Sequence, residues 1–212
     1  MSKFNDYGKK VNEIARNAFQ KYREAEAAFK RAEDQQRKYP QRHGIVDAEY
    51  AAQSARAYAD FLTAKETFKR AQDEFRAHNA EIADLRKQLA ADLEAHYAAD
   101  PAALDGNTLE LLKSGVLKTG EYARMMDQAQ SNGNHTMARM IAKYAGEAAK
   151  QYNDNDTRAR ELRAIAYKVA NSNGANTLAR FDLMADVYNK ATNNPYMIDS
   201  WDSLTGEAAE NM

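Results

Sequence analysis

The chain has 212 residues and is 44% hydrophobic, which is enough for one domain with a core or for two small ones. Its 30 basic and 31 acidic side chains nearly cancel, so the local distribution of charge is more informative than the total. With no cysteine, disulfides and thiolate metal sites are excluded. Alanine is abundant, whereas Gly (9) and Pro (3) are few, and this composition favours an all-α protein.

The first predicted helix begins near Val11 and carries the spacing of a coiled coil. Apolar and small residues recur there at alternating intervals of four and three: Val11, Ala15, Ala18, Tyr22, Ala25, Phe29, Ala32, Gln36 and Tyr39. This pattern predicts a helix of about 30 residues that packs along one seam. Pro40 lacks an amide donor and Gly44 tolerates left-handed backbone, so a turn is expected between them.

The second predicted helix is longer. The 56 residues from Ile45 to Asp100 contain no Gly or Pro, which predicts a helix of roughly 50 residues, some 75 Å long. The same spacing continues through Ala57, Phe61, Ala64, Phe68, Ala71, Phe75, His78, Ile82, Leu85 and Leu89. We take its large members as the seam for self-association or for a partner: Phe61, Phe68, Phe75, Ile82 and Leu89.

Charge favours folding these two helices back on each other. Residues 1–45 carry 11 Lys or Arg and 6 Asp or Glu, whereas residues 46–97 carry 7 and 10. Segments of opposite net charge attract one another in an antiparallel pair. Residues 1–100 are therefore predicted to form a long antiparallel coiled-coil hairpin, which the heptads allow to close within one chain or between two copies.

The second half of the chain contains a repeat. Residues 131–140 (SNGNHTMARM) and 172–181 (SNGANTLARF) share Ser-Asn-Gly and the later Thr and Ala-Arg positions. Asn-Gly ends a helix, and a following Asn or Thr can accept the free amides of the next one. We expect residues 101–191 to form a small bundle with two similar helical hairpins, at about 119–153 and 156–191.

No group of residues indicates catalysis. His78 and His96 lie on or near the second seam, where packing is a better interpretation than metal binding. His135 and Arg139 stand one turn apart, but Arg180 recurs at the matching position of the repeat, which favours an arginine that caps or bridges helices. There is no phosphate-binding glycine loop and no cysteine nucleophile. We therefore expect a non-enzymatic protein with no catalytic, cofactor-binding or metal-binding residues and no cofactor.

Residues 192–212 are predicted to be an acidic tail that holds an apolar cluster. Its members are Tyr196, Ile198, Trp201 and Leu204, and Trp201 is the one tryptophan of the chain. Such a cluster either docks on the protein's own helices or binds a partner as a short motif. We favour docking on its own helices and keep these four residues as a possible partner-docking site.

Residues 109–145 carry a family resemblance. They contain LELLKSGVL at 109–117, Glu121-Tyr122, and NHTMARMIAKYA at 134–145. This arrangement resembles a segment in uncharacterised helical proteins of phages and prophages of Gram-positive bacteria. The resemblance implies a shared helical hairpin and a role in virion morphogenesis, and it implies no functional residue.

These observations predict a structural or assembly protein, a scaffold or virion-associated component that acts by coiled-coil self-association and protein binding. Its expected partners are proteins, including further copies of the chain, and its expected location is the host cytoplasm or the virion. The polar N-terminus and the lack of 18 consecutive apolar residues predict neither a secretory signal peptide nor a membrane span.

Two other functions remain open. The chain is alternatively a phage-encoded protein that binds a host protein, such as a defence component, and inhibits or redirects it. Direct binding of nucleic acid through the basic first helix is less favoured, because Glu24, Glu26, Glu33 and Asp34 interrupt its basic residues.

Overall fold

A computed structural model describes residues 4–42, 44 and 47–210. Across these residues the chain forms eight α-helices and no strand, which confirms the all-α class. The helices are α1 (Asn5–Lys38), α2 (Ala48–His96), α3 (Gly106–Ser114), α4 (Thr119–Ser131), α5 (His135–Ala149), α6 (Thr157–Tyr167), α7 (Ala175–Asn193) and α8 (Trp201–Glu210). Short 3-10 segments lie at Pro101–Ala103, Lys168–Ser172 and Pro195–Ser200.

The two long helices form an antiparallel hairpin within one chain. Phe29 of α1 lies 5.7 Å from Phe61 of α2 between ring centroids, and Tyr22 lies 5.3 Å from Phe75. Residues with higher numbers in α2 contact residues with lower numbers in α1, so the two helices run in opposite directions. They pack against each other as predicted. The connection contains Pro40 and a left-handed Gly44 with φ of +113°.

The hairpin lengths follow from the sequence. α1 has 34 residues and α2 has 49, close to the lengths expected from the seam. α1 ends where Tyr39 still donates its amide to the Gln35 carbonyl at 3.0 Å, just before Pro40. Within the connection, residues 43, 45 and 46 lie outside the described part of the chain.

The chain divides into two compact units. One unit comprises Met1–Arg86 with Arg180–Met212, and the other comprises Lys87–Ala179. α2 and α7 therefore contribute residues to both units. The physical reason is the apolar face of α7 beyond Arg180, where Phe181, Met184 and Tyr188 are fully buried.

Aromatic rings form the centre of the first unit. Phe19 lies 5.6 Å from Phe75, 5.8 Å from Tyr188 and 5.4 Å from Trp201 between ring centroids. The Tyr188 hydroxyl donates to the Phe75 carbonyl at 2.9 Å, and burial raises the pKa of Tyr188. The Trp201 indole donates to the Asn12 side chain at 2.8 Å. Both polar groups are thus satisfied inside an apolar cluster.

The second unit has its own core, built from α3, α4, α5 and α6. Buried apolar residues from these helices form one cluster: Leu112, Tyr122, Met126, Ala129, Met137, Ala138, Ile141, Ala142, Ala145, Ala149, Leu162 and Ile165. Alanine accounts for five of these residues, which lets α5 approach its neighbours closely. Side-chain carboxylates begin α3 and α6, where Asp105 and Asp156 accept backbone amides of the first turn.

The two copies of the Asn-Gly repeat have related but unequal geometry. Gly133 and Gly174 both adopt left-handed backbone, with φ of +65° and +74°. In the first copy Asn134, after the glycine, accepts the Met137 amide at 2.9 Å, as predicted. In the second copy Asn173, before the glycine, accepts the Ala175 amide at 3.0 Å instead. The cap has moved because position 175 is alanine and has no acceptor.

The aromatic centre predicts unequal losses along the seam. Phe75→Ala should lower the free energy of unfolding of the first unit by about 3–5 kcal/mol, because Phe75 is 2% exposed. Phe61→Ala should cost roughly half of that or less, because Phe61 is only half-buried. Urea unfolding followed by Trp201 fluorescence measures both, since Trp201 lies in the same unit. Equal losses would contradict this description of the seam.

The repeat supplies a second matched pair. Gly133→Ala should cost about 1–2 kcal/mol for left-handed backbone alone, because an added Cβ meets nothing within 4 Å. Gly174→Ala should cost at least about 1 kcal/mol more, because its Cβ would lie 2.7 Å from Leu93 Cδ2. Urea unfolding followed by far-ultraviolet circular dichroism compares them. If Gly174→Ala lowered the free energy of unfolding no more than Gly133→Ala, the expected clash with Leu93 would be contradicted.

Candidate protein-binding surface

The structure buries the predicted seam unevenly. Phe75, Ile82 and Leu89 are buried, whereas Phe61 and Phe68 are half-buried. Leu89 belongs to the second unit and the other four residues to the first. Burial of the seam in the first unit therefore falls from Ile82 towards the turn of the hairpin.

The predicted tail is mostly helical as far as Glu210, where the described residues end, and part of it packs on α1. Ile198 and Trp201 are buried, which is the self-docking favoured by the sequence for these two residues. Tyr196 is 87% exposed and Leu204 is 45% exposed. Arg16 pairs with Asp202 at 3.1 Å, and Arg23 pairs with Asp199. Two acidic residues of the tail, Asp199 and Asp202, thus meet basic residues of α1 within the same unit.

The hairpin has a covered part and an uncovered part. We define the distal arm as residues 29–38 of α1 and 48–68 of α2. Within these residues only Ser54 and Ala57 are buried, although Phe29, Phe61 and Phe68 pack their rings together. The rest of the hairpin in this unit contributes its rings to the cluster with Tyr188 and Trp201. The distal arm is therefore a two-helix coiled coil whose apolar rings remain half open to solvent.

One side of α2 is the side that receives α7. Arg86 makes two hydrogen bonds to Asp182, at 2.6 and 3.0 Å, and Asn79 donates to Thr192 at 3.5 Å. Positions seven apart fall on one side of a helix in a coiled coil. Counting back from Asn79 by sevens gives Gln72, Lys65 and Tyr58. Tyr58 therefore lies on the same side of α2 as the contacts to α7.

This side becomes apolar on the distal arm. We call Ala51, Ala55, Tyr58 and Leu62 the outer stripe; they follow 4-3-4 spacing and share one face of α2. Tyr58 is 38% exposed and Leu62 is 46% exposed, and both alanines are exposed. The flank of a coiled coil normally carries charged side chains, whereas this one carries a row of apolar side chains. The outer stripe is the strongest candidate for a binding surface in the first unit.

The matching side of α1 is charged. Arg16, Arg23, Lys30 and Arg37 recur every seven residues. The first two pair with the tail, whereas Lys30 pairs with Glu26 at 2.7 Å and Arg37 with Glu33 at 3.0 Å. Such exposed pairs contribute little stability. Where α1 leaves the tail, its cations are thus neutralised locally, and the apolar surface lies on α2.

The second unit holds a cluster of aromatic and basic groups. The His135 ring lies 4.5 Å from Tyr97 and 5.5 Å from His96 between centroids, and Arg139 donates to the Tyr97 carbonyl. Arg139 therefore bridges α5 to the end of α2, whereas Arg180 is exposed. Burial, with added repulsion from His96 and Arg139, lowers the pKa of His135. The neutral imidazole is the form that fits this site.

Two other kinds of site are absent from the described residues. No set of three or more His, Asp or Glu side chains there is grouped so that it could hold a metal ion. In that same part of the chain no helix is both long and apolar enough to cross a membrane. Neither finding identifies what the protein binds.

Comparisons with known proteins returned no match. No protein-family model, no curated protein and no solved structure is significantly similar to this chain. Its function must therefore be inferred from its own residues.

The His135 site predicts a pH dependence of stability. Because the pKa of His135 is lowered in the folded chain, the unfolded chain binds the proton more readily below the ordinary value of about 6.5. The free energy of unfolding should therefore fall as the pH is lowered through that value, and the fall should level off below the folded pKa. Urea unfolding between pH 7.5 and 5.5 measures this dependence.

His135→Asn is the informative variant, because asparagine stands at the matching repeat position, Asn176. Its stability should change less over this pH range than that of the original chain. His78→Asn is the control, since His78 pairs with Glu81 at 2.9 Å and belongs to the other unit. Identical pH profiles for His135→Asn and the original chain would refute the role of His135.

Proposed function

We propose that the chain is a non-enzymatic assembly protein that acts by coiled-coil self-association and protein binding. The distal arm carries this proposal. It exposes aromatic and aliphatic side chains at coiled-coil spacing, where a protein that works alone would be expected to place charge. Its function on this proposal is to present a helical surface to other protein chains.

Burial of apolar surface by a partner would stabilise the distal arm, which supports the proposal. A two-helix coiled coil buries only one seam, and most helical stability in proteins comes from tertiary packing of an apolar face. In the distal arm Phe29, Phe61 and Phe68 are all half-buried. A further helix against this part of the hairpin would remove more apolar surface from water. Apolar rows left open in this way are typical of surfaces that other chains cover.

Virion morphogenesis is the setting that we propose for this assembly role. The support is the resemblance of residues 109–145 to helical proteins of phages and prophages. In this structure the segment supplies core residues such as Leu112, Tyr122 and Met137. The resemblance therefore supports a shared fold of α3 to α5, and the proposed setting is a scaffold or virion-associated component.

A second candidate is a phage-encoded protein that inhibits or redirects a host protein. The observation that favours it is the closure of the hairpin within one chain, with Trp201 buried on α1. A chain that satisfies its main seam alone can act as a monomer. In that case the outer stripe would receive a segment of the host protein.

Nucleic acid is a less favoured partner. The basic side of α1 is engaged by carboxylates, with Arg16 and Arg23 bound to the tail and Lys30 and Arg37 bound within α1. Glu24, Glu26, Glu33 and Asp34 also interrupt the basic residues of α1, and their carboxylates would repel phosphates. We therefore place protein partners first.

Light scattering of the purified chain separates the two candidates. The expected mass rises from the 23.8 kDa of one chain towards that of a dimer or larger particle as the concentration is raised from about 5 µM to about 500 µM. A mass that stays at one chain throughout would refute self-association and would favour the host-protein binder. Measurement at two salt concentrations is the control, because association through apolar side chains should not weaken as salt is raised.

A further inference from the structure

We infer that the outer stripe is a two-fold interface at which the distal arms of two copies of this chain pack antiparallel. This inference rests on the proposed function and names the partner as a second copy and the residues as Ala51, Ala55, Tyr58 and Leu62. Four features of the described residues support it: continuity with an internal helix contact, fit of side-chain sizes, fit of charge, and length.

The outer stripe continues a surface that already binds a helix. Further along α2, the same side receives α7 through Asn79 and Arg86. α7 ends at Asn193, and Thr192 in its last turn is the residue that meets Asn79. Towards the turn of the hairpin no helix among the described residues of the unit covers this side of α2, since Tyr58 and Leu62 are exposed there. A helix from another chain can therefore lie on α2 in line with α7.

Side-chain sizes fit a second copy rather than an arbitrary helix. In an antiparallel two-fold pair centred between Ala55 and Tyr58, Ala55 faces Tyr58 of the second copy and Ala51 faces Leu62. Each large side chain then meets a small one, at both ends of the symmetric pair. A two-fold interface requires such self-complementarity, because the same patch serves both chains.

Charge fits the same register. Lys65 continues the outer stripe and would lie opposite residue 48 of the second copy, next to Asp47 at the start of its α2. Lys65 is exposed and lies over the Phe61 ring at 6.0 Å, while Asp47 is exposed. Two-fold symmetry produces this opposite-charge pair twice. Arg56 lies away from the stripe, where it pairs with Asp60 of its own helix at 4.0 Å.

Length fits as well. In this register the first residues of α2 in the second copy reach the level of Lys65, so its connecting turn falls before Asn79, where α7 begins to cover the helix. The paired surface of about 20 residues is roughly 30 Å long and about 10 Å wide, or about 300 Å² on each chain. This is small for a stable dimer, so a weak, concentration-dependent association is expected.

Cysteine cross-linking tests the register, since the chain has no cysteine of its own. Differently tagged Ala51→Cys and Leu62→Cys variants, mixed and treated with a short thiol cross-linker, should give mixed dimers. Ala51→Cys alone should give few dimers, because its two copies would stand about 16 Å apart along the helix. Thr67→Cys mixed with Ala51→Cys is the control, since Thr67 is exposed on another side of α2.

Charge substitution tests the surface independently. Tyr58→Glu and Leu62→Glu should weaken self-association by about tenfold or more in light scattering. Tyr167→Glu should not change it, although Tyr167 is 80% exposed and has a similar aromatic surface in the other unit. All three positions are exposed, so circular dichroism should show unchanged helix content and confirm that the variants fold.

The outcomes separate the inference from the proposed function. Mixed cross-links together with weakened association of both Glu variants support the two-fold arm interface. Self-association that neither Glu variant alters, with no mixed cross-link, would overturn this interface and leave the assembly function standing on another surface. A chain that remains monomeric from about 5 µM to about 500 µM would overturn both.

Discussion

The packing of Phe19 against Phe75, Tyr188 and Trp201 is the contact on which the first unit depends. It joins α1 and α2 to α7 and α8, which are far from them in the sequence, and the ring centroids lie 5.4 to 5.8 Å apart. The hydroxyl and indole groups of Tyr188 and Trp201 are hydrogen-bonded inside it, so the cluster carries no unsatisfied polar cost from them. The cluster contacts only part of the hairpin. The distal arm begins where α7 and α8 no longer cover α1 and α2.

The hairpin could be predicted from the sequence because its helices are indicated by residue spacing along the chain alone. The 4-3 spacing identified the seam, and the absence of Gly and Pro set the length of α2, which ends at His96. The assignment of α7 and α8 could not be predicted in this way. The apolar face of Phe181, Met184 and Tyr188 indicates that α7 is buried on that side. Its periodicity does not identify the helix against which it packs. Phe19, a large ring next to the seam residue Ala18, was the available signal of a second contact on α1.

The candidate surface was only partly accessible from the sequence. The seam residues Phe61 and Phe68 were identified, and the structure adds that they are half-buried at the end of the hairpin that lacks α7 and α8. The outer stripe was missed because Tyr58 and Leu62 lie off the main seam, and their exposure depends on where α7 ends. The tail shows the same limit: spacing cannot distinguish the buried Trp201 from the exposed Tyr196.

The polarity of the residues along one side of α2 connects the fold to the proposed function. Along this side, Arg86 and Asn79 meet α7 through polar contacts, whereas Tyr58 and Leu62 meet solvent. The contact with α7 also includes the Phe75 ring, which packs against Tyr188, whereas no helix in the described part of the unit covers Tyr58 and Leu62. A helix from another chain would bury these apolar side chains, and for this reason we propose the distal arm, rather than the histidine cluster or the tail, as the binding part of the molecule.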